Sequence, residues 1–162
     1  MAKELIIYRH AKSDWNTGFQ KDFDRPLSER GIKSAKAMGE LLAKMKEVPQ
    51  YILSSSAVRT TETINLSIEK GHWQSELEFS DQLYLADSYT VLDKIKAFDD
   101  KFDQCMIVNH EPTCSSLTSQ LIGGGHVIFK TATMAKISFY ESSWKSIQTG
   151  ELKWLFQSRS FI

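Results

Sequence analysis

Two cysteines and three prolines are all that 162 residues contain of those types, and no apolar run approaches the length of a membrane span. Cys105 sits inside an apolar run and Cys114 falls in a different expected element, a spacing that fits neither a disulfide framework nor a CxxC metal or redox pair. Both read as reduced core thiols. Net charge is also lacking: 20 Lys and Arg balance 20 Asp and Glu, so no overall field favours nucleic acid or an anionic membrane surface as a partner. Any anion must therefore be bound locally. The start of the chain has one short apolar run followed at once by Arg9 and His10, too short for a signal segment, and a cytoplasmic location is expected. Low-complexity tracts and solenoid-period repeats are also missing.

What is present is globular composition. At 41% hydrophobic and 25% charged, the chain can bury one core, and residues 1–162 are expected to form a single domain. Leu5 to Tyr8 reads as a buried strand feeding a polar loop. Ala35, Met38, Leu41, Leu42 and Met45 recur at helical spacing within Lys33 to Lys46, with Ser28 as the expected cap and Pro49 beyond the end. Tyr51 to Leu53 is a second short strand, followed by a polar turn and a helical segment carrying Arg59, Thr60, Glu62 and Ile64. Phe79 to Leu85 reads as an irregular extended piece and Ser88 to Phe98 as a helix. Cys105 to Val108 is a strand leading into Asn109-His110-Glu111-Pro112, with Pro112 in the first turn of a helix that Gly123-Gly124-Gly125 ends. Met134 to Tyr140 and Lys153 to Phe156 read as a closing antiparallel pair.

Strands alternating with helices predict an α/β fold, three layers deep, around a mostly parallel central sheet. In such sheets ligands gather at the carboxyl ends of the strands. Here those ends carry Arg9-His10, the turn before Arg59, and His110, so two arginines and two histidines are expected at one edge. Guanidinium forks match phosphate oxygens with charge-assisted bidentate bonds, which makes phosphate the expected ligand. A neutral imidazole can attack phosphorus, and neighbouring arginine charges would favour the neutral ring. His10 is the expected nucleophile. Arg9, Arg59 and His110 would stabilise the charge spread over the transferring group.

These residues also resemble a known family. Tyr8-Arg9-His10-Ala11-Lys12-Ser13-Asp14-Trp15-Asn16 resembles the RHG motif of the histidine phosphatase superfamily, with its phosphoglycerate-mutase-like fold and with Ala11 where glycine is usual. Ser55 to Thr63 resembles the family's Ser-x-x-x-Arg-x-x-x-Thr, and Val108 to Pro112 its second-histidine motif. Pro26 to Gly31 extends the match, so that it covers most of the chain in order. The short length, without room for a large cap insertion, is similar to the SixA-type phosphohistidine phosphatases. The resemblance implies His10 as nucleophile, Arg9, Arg59 and His110 in the phosphate pocket, and Asn16 as a further phosphate contact. It also implies that Phe129 to Ala132 contributes to the pocket rim.

One departure bears on substrate. Many members carry an acid that protonates an alkoxide leaving group; the corresponding stretch is Ser80-Asp81-Gln82-Leu83-Tyr84, with Gln82 at the acid's place. An alcohol needs that acid, worth roughly 10²- to 10⁴-fold in rate, and an imidazole needs it less. The substrate is therefore expected to be a phosphohistidine protein, unless Asp81 or the more distant Asp87 serves as the acid.

Small phosphate monoesters are the alternative substrate, and a non-catalytic phosphate-binding module is the alternative class. No metal or other cofactor is expected. His110 to Cys114 fails as HExxH because its fifth residue is Cys, and neither cysteine is followed by arginine at the spacing of a cysteine-phosphatase loop. Glu111 reads as a helix-initiating residue, Trp15 as a packing aromatic, and His72 and His126 as loop residues.

Overall fold

The computed structural model describes residues 2–162. Six strands form one sheet: β1 (Glu4–Arg9), β2 (Tyr51–Ser55), β3 (Glu76–Ser80), β4 (Gln104–Asn109), β5 (Met134–Ser138) and β6 (Glu151–Phe156). Their order is β3-β2-β4-β1-β5-β6. The first four run parallel, while β5 is antiparallel to β1 and β6 to β5. The central strands are apolar runs because helices cover both faces of the sheet. Helices α1 (Glu29–Lys44) and α2 (Val58–Gly71) lie on one face, where Ala35, Met38, Leu42 and Ile64 pack on Ile6, Ile52 and Met106. On the other face, α3 (Ser88–Lys96) and α4 (Thr113–Leu121) bring Val91, Ile95 and Leu117 onto Leu5, Leu53 and Ile107. No helix among the described residues is long and apolar enough to cross a membrane.

This topology opens a crevice at one place. β1 and β4 are adjacent and parallel, yet β1 leads to α1 on one face and β4 to α4 on the other. Chains that leave neighbouring strands toward opposite faces part at their carboxyl ends and leave room for a ligand. The register pairs Arg9 with Asn109, which puts His10 and His110 side by side just beyond the sheet.

The third strand differs from expectation. It spans Glu76–Ser80, and a 3-10 turn at Asp81–Leu83 occupies the middle of the stretch read as extended. As an edge strand it keeps Glu76, Glu78 and Phe79 exposed, so its sequence lacks a buried run, and the apolar signal at Leu83 comes from a turn residue packed into the core. The glycine run behaves as a helix stop, with φ of 88°, 118° and 103° at Gly123, Gly124 and Gly125.

Candidate active site

A cavity of about 240 Å³ lies at the carboxyl edge, lined by Arg9, His10, Lys12, Arg25, Arg59 and His110 together with Ser13, Trp15, Glu111 and Thr131. The ring centroids of His10 and His110 are 5.3 Å apart, and both rings are more than nine-tenths buried. Four residues proposed from the sequence, Arg9, His10, Arg59 and His110, are thus brought together from three strand ends. Asn16 and Asp81 are not. Asn16 is exposed, its backbone N–H donating to Asp14 Oδ1 at 2.8 Å, and it is not among the residues that line the cavity. Asp81 is exposed on the 3-10 turn and accepts a hydrogen bond from Ser56, which keeps it out of the cavity lining.

The loop that carries His10 is held by backbone contacts on every side. Its N–H donates to Asn109 O at 3.2 Å, and Ala132 N–H donates to its carbonyl at 3.0 Å. The next amide, Ala11 N–H, donates to Thr63 Oγ1 at 3.0 Å, and the same hydroxyl donates to Arg59 O at 2.7 Å. Thr63 therefore ties the nucleophile loop to the helix turn carrying Arg59. Ala11 is fully buried and its backbone is not left-handed, so alanine is accommodated where glycine is usual.

The His10 ring is fixed as well. Nδ1 lies 2.7 Å from Ala11 O, and a carbonyl can only accept, so Nδ1 carries the proton and Nε2 keeps its lone pair. Burial lowers the pKa of this ring well below the ordinary histidine value; the Ala11 bond opposes the shift, and His110, Arg9 and Arg59 add to it. The charges that sequence reasoning credited with keeping the ring neutral are thus secondary to desolvation. The pKa of His110 falls to about 3, again chiefly by burial and then by Arg59. Its Nε2 lies 2.8 Å from Ser55 Oγ, and its Nδ1 has no partner among the described residues.

The arginines are aimed by groups that sequence reasoning missed. Arg59 Nη2 pairs with Asp22 Oδ2 at 3.0 Å and its Nη1 donates to Asp22 O at 2.8 Å. Asp22 Oδ2 also accepts from Tyr84 OH at 2.7 Å, and Oδ1 from Arg25 Nη2 at 2.8 Å. Burial would raise the pKa of Asp22, but the bonds from Arg25, Tyr84 and Arg59 outweigh it and hold the carboxyl far below its usual range. Arg25 donates to Ser13 and stacks on Trp15, its guanidinium carbon 3.6 Å from the ring centroid. Arg9 Nη1 donates to Phe129 O at 2.8 Å, whose own amide donates to Ser115 Oγ at 2.9 Å. Ser115 in turn donates to Glu111 through both its hydroxyl and its amide, so both Glu111 oxygens are acceptors at the start of α4. Among the described residues no group of three or more His, Cys, Asp or Glu side chains could hold a metal ion.

Comparison with known proteins agrees with this geometry. The profile of the histidine phosphatase superfamily (branch 1) matches residues 5–84. The uncharacterized protein ML1117 of Mycobacterium leprae is 36% identical over 120 residues, covering 72% of each chain. Among solved structures, the protein described as the putative phosphohistidine phosphatase SixA from Agrobacterium tumefaciens superposes with a TM-score of 0.81 at 26% identity, over 97% of this chain and 99% of that one. A protein histidine phosphatase SixA complexed with tungstate gives a TM-score of 0.85 at 20% identity, over 98% and 99%. With the phosphoglycerate-mutase-like sheet, no large insertion between its strands, and two histidines and two arginines at its open edge, this chain belongs to the histidine phosphatase superfamily and is a phosphatase of the SixA type.

Proposed function

We propose that the chain hydrolyses phosphohistidine on a phosphoprotein, through a phosphoryl group carried transiently on His10. The single observation that carries this reading is the state of His10: a neutral ring whose Nδ1 is committed to Ala11 O, leaving Nε2 as a nucleophile inside a cavity of guanidinium groups. Nε2 attacks phosphorus, the bond from phosphorus to the substrate imidazole breaks, and its electron pair leaves with that nitrogen, which takes a proton from solvent. Water then attacks phosphorus on His10, releasing inorganic phosphate and regenerating the ring. Arg9 and Arg59 bind the equatorial oxygens, where charge grows toward the transition state. Ser55 Oγ, which accepts from Ala57 N–H at 3.3 Å, is hydrogen-bonded to His110 Nε2 at 2.8 Å and so holds this ring in the cavity wall beside the phosphoryl group.

Substrate choice follows from the acids. Asp81 is engaged by Ser56, Gln82 by Lys94, and Asp22 by three donors, while both Glu111 oxygens accept from Ser115. Of these only Glu111 lines the cavity, and its oxygens are engaged by Ser115; an imidazole leaving group needs an acid less than an alkoxide does. An open cavity with Trp15 exposed at its edge, Leu85 exposed on the β3–α3 connection and Tyr89 exposed in the first turn of α3 suits a protein substrate better than an enclosed metabolite. A cytoplasmic setting goes with two buried free thiols, Cys105 and Cys114.

Phosphate release from a phosphohistidine peptide and from an alkyl phosphate, without added metal, tests the reading in wild type and His10→Ala. Fast turnover of the peptide that His10→Ala abolishes is expected. A preference for the ester would make small monoesters the substrate class, and phosphate binding without turnover would leave a binding module.

A further inference from the structure

A second depression of about 250 Å³ adjoins the phosphate cavity and shares Arg9, Lys12 and Thr131 with it. Arg30, Lys130 and Arg159 complete its charge, and no acidic side chain lines it. The four residues beyond Arg9 come from separate segments. Lys12 lies on the loop after β1, Arg30 in the first turn of α1, Lys130 on the loop before β5, and Arg159 in the C-terminal 3-10 turn Ser158–Ser160. That turn packs on α1, and Ser158 Oγ donates to Thr131 O at 3.5 Å, which sets Arg159 beside the rim of the cavity.

Two features set this cluster apart from a solvated face. The chain as a whole carries no net charge, yet this depression gathers Arg9, Lys12, Arg30, Lys130 and Arg159 with no acidic side chain among its lining residues. Lys12, Arg30, Lys130 and Arg159 are exposed and form no ion pair among the described residues. Arg30 also sits at the positive end of the α1 dipole, where a cation is unfavourable. Gathering unpaired cations against mutual repulsion is favourable only when an anion arrives. The phosphate cavity differs in this respect, since Asp22 pairs with its Arg59 and Arg25 and Glu111 lines its wall.

We propose that this depression is a subsite for acidic side chains flanking the phosphohistidine of a protein substrate, with Arg30, Lys130 and Arg159 as specificity-determining residues. The proposal rests on the phosphohistidine reading above. Exposed ion pairs are individually weak, and several together amount to about tenfold in affinity. They also steer encounter in a salt-dependent way.

The test compares two phosphohistidine peptides, one flanked by glutamates and one by glutamines, with phosphoramidate as a substrate that has no flank. In wild type the glutamate peptide should show a KM about tenfold lower, an advantage that fades as salt is raised. Arg30→Gln combined with Arg159→Gln should remove the advantage while leaving phosphoramidate turnover unchanged, which also certifies the fold. Equal KM values for the two peptides in wild type, or a preference that survives the double variant, would overturn the subsite alone. Failure of wild type to hydrolyse phosphoramidate and both peptides would sink the phosphohistidine reading, and the subsite with it.

Discussion

Nδ1 of His10 stands 2.7 Å from the carbonyl oxygen of Ala11, its own neighbour in the chain. That one bond selects the tautomer, orients the ring and leaves Nε2 free, and it needs no carboxylate behind the histidine. Desolvation does the rest, by keeping the ring neutral in a pocket otherwise full of positive charge.

Neutral buried histidines make the fold sensitive to acid. In the unfolded chain His10 and His110 titrate near about 6.5. In the native state both pKa values are lowered, that of His110 to about 3. Below about pH 6.5 the unfolded chain therefore binds more protons than the native one, so stability falls as pH falls, by up to about 1.4 kcal/mol per pH unit for each ring. Urea unfolding between pH 7.5 and 4.5 should show this slope in wild type and a flatter one in His110→Gln. Equal slopes would contradict the neutral buried state of His110.

Asp22 is predicted to act by aiming Arg59. Asp22→Asn keeps the shape but loses the charge that holds Nη2 at 3.0 Å. A guanidinium released from its position costs rate more than binding, so kcat should drop on the order of tenfold or more while KM changes little. A change confined to KM, read from steady-state kinetics, would assign Asp22 to substrate binding instead.

Ser55 is predicted to position His110. Ser55→Ala removes the partner 2.8 Å from Nε2 and frees the ring to reorient. The expected result is a fall of about tenfold in kcat, short of the roughly 10²- to 10³-fold typical of removing a transition-state donor outright. Stability should drop by about 1–2 kcal/mol from the unpaired buried groups. Unchanged kcat with the same stability loss would make Ser55 a purely structural residue.

How much of this could be read from the sequence depends on how local each residue's placement is. Arg9, His10 and His110 follow short apolar strands directly, and parallel strands deliver their next residues to one edge. Arg59 is set by the helix that follows the second strand. Asp22, Arg25 and Tyr84 have no such rule. Asp22 opens a short 3-10 turn, Asp22–Asp24, that carries no periodic signal, and it meets Arg59 across 37 positions, a contact decided by how the loop folds over α2. Asn16 rests on the resemblance alone, with no strand end to place it, and it is exposed outside the cavity lining. Arg159 belongs to a terminal turn whose packing on α1 leaves no periodic trace. The Ser-x-x-x-Arg-x-x-x-Thr pattern was visible throughout, but only the fold shows that its outer residues hold His110 and Ala11.

The approach of α1 to the nucleophile loop leaves no space for a side chain at Gly31. A Cβ there would sit 2.1 Å from Lys12 O, in a contact already bridged by Ser28 N–H donating to Lys12 O at 2.9 Å. Gly31→Ala should destabilise the protein by about 1–3 kcal/mol and lower kcat/KM by shifting Lys12 and Ser13. Thermal unfolding and steady-state kinetics together check it, and a variant as stable and active as wild type would refute the close approach.

The most direct test of the central claim is rapid quenching of the wild-type enzyme during turnover of a radiolabelled phosphohistidine peptide, followed by mapping of the labelled site. Label that is stable to alkali, labile to acid, located on Nε2 of His10 and lost in His10→Ala is the predicted result. Turnover with no enzyme-bound phosphate, or with phosphate on any residue other than His10, would contradict it.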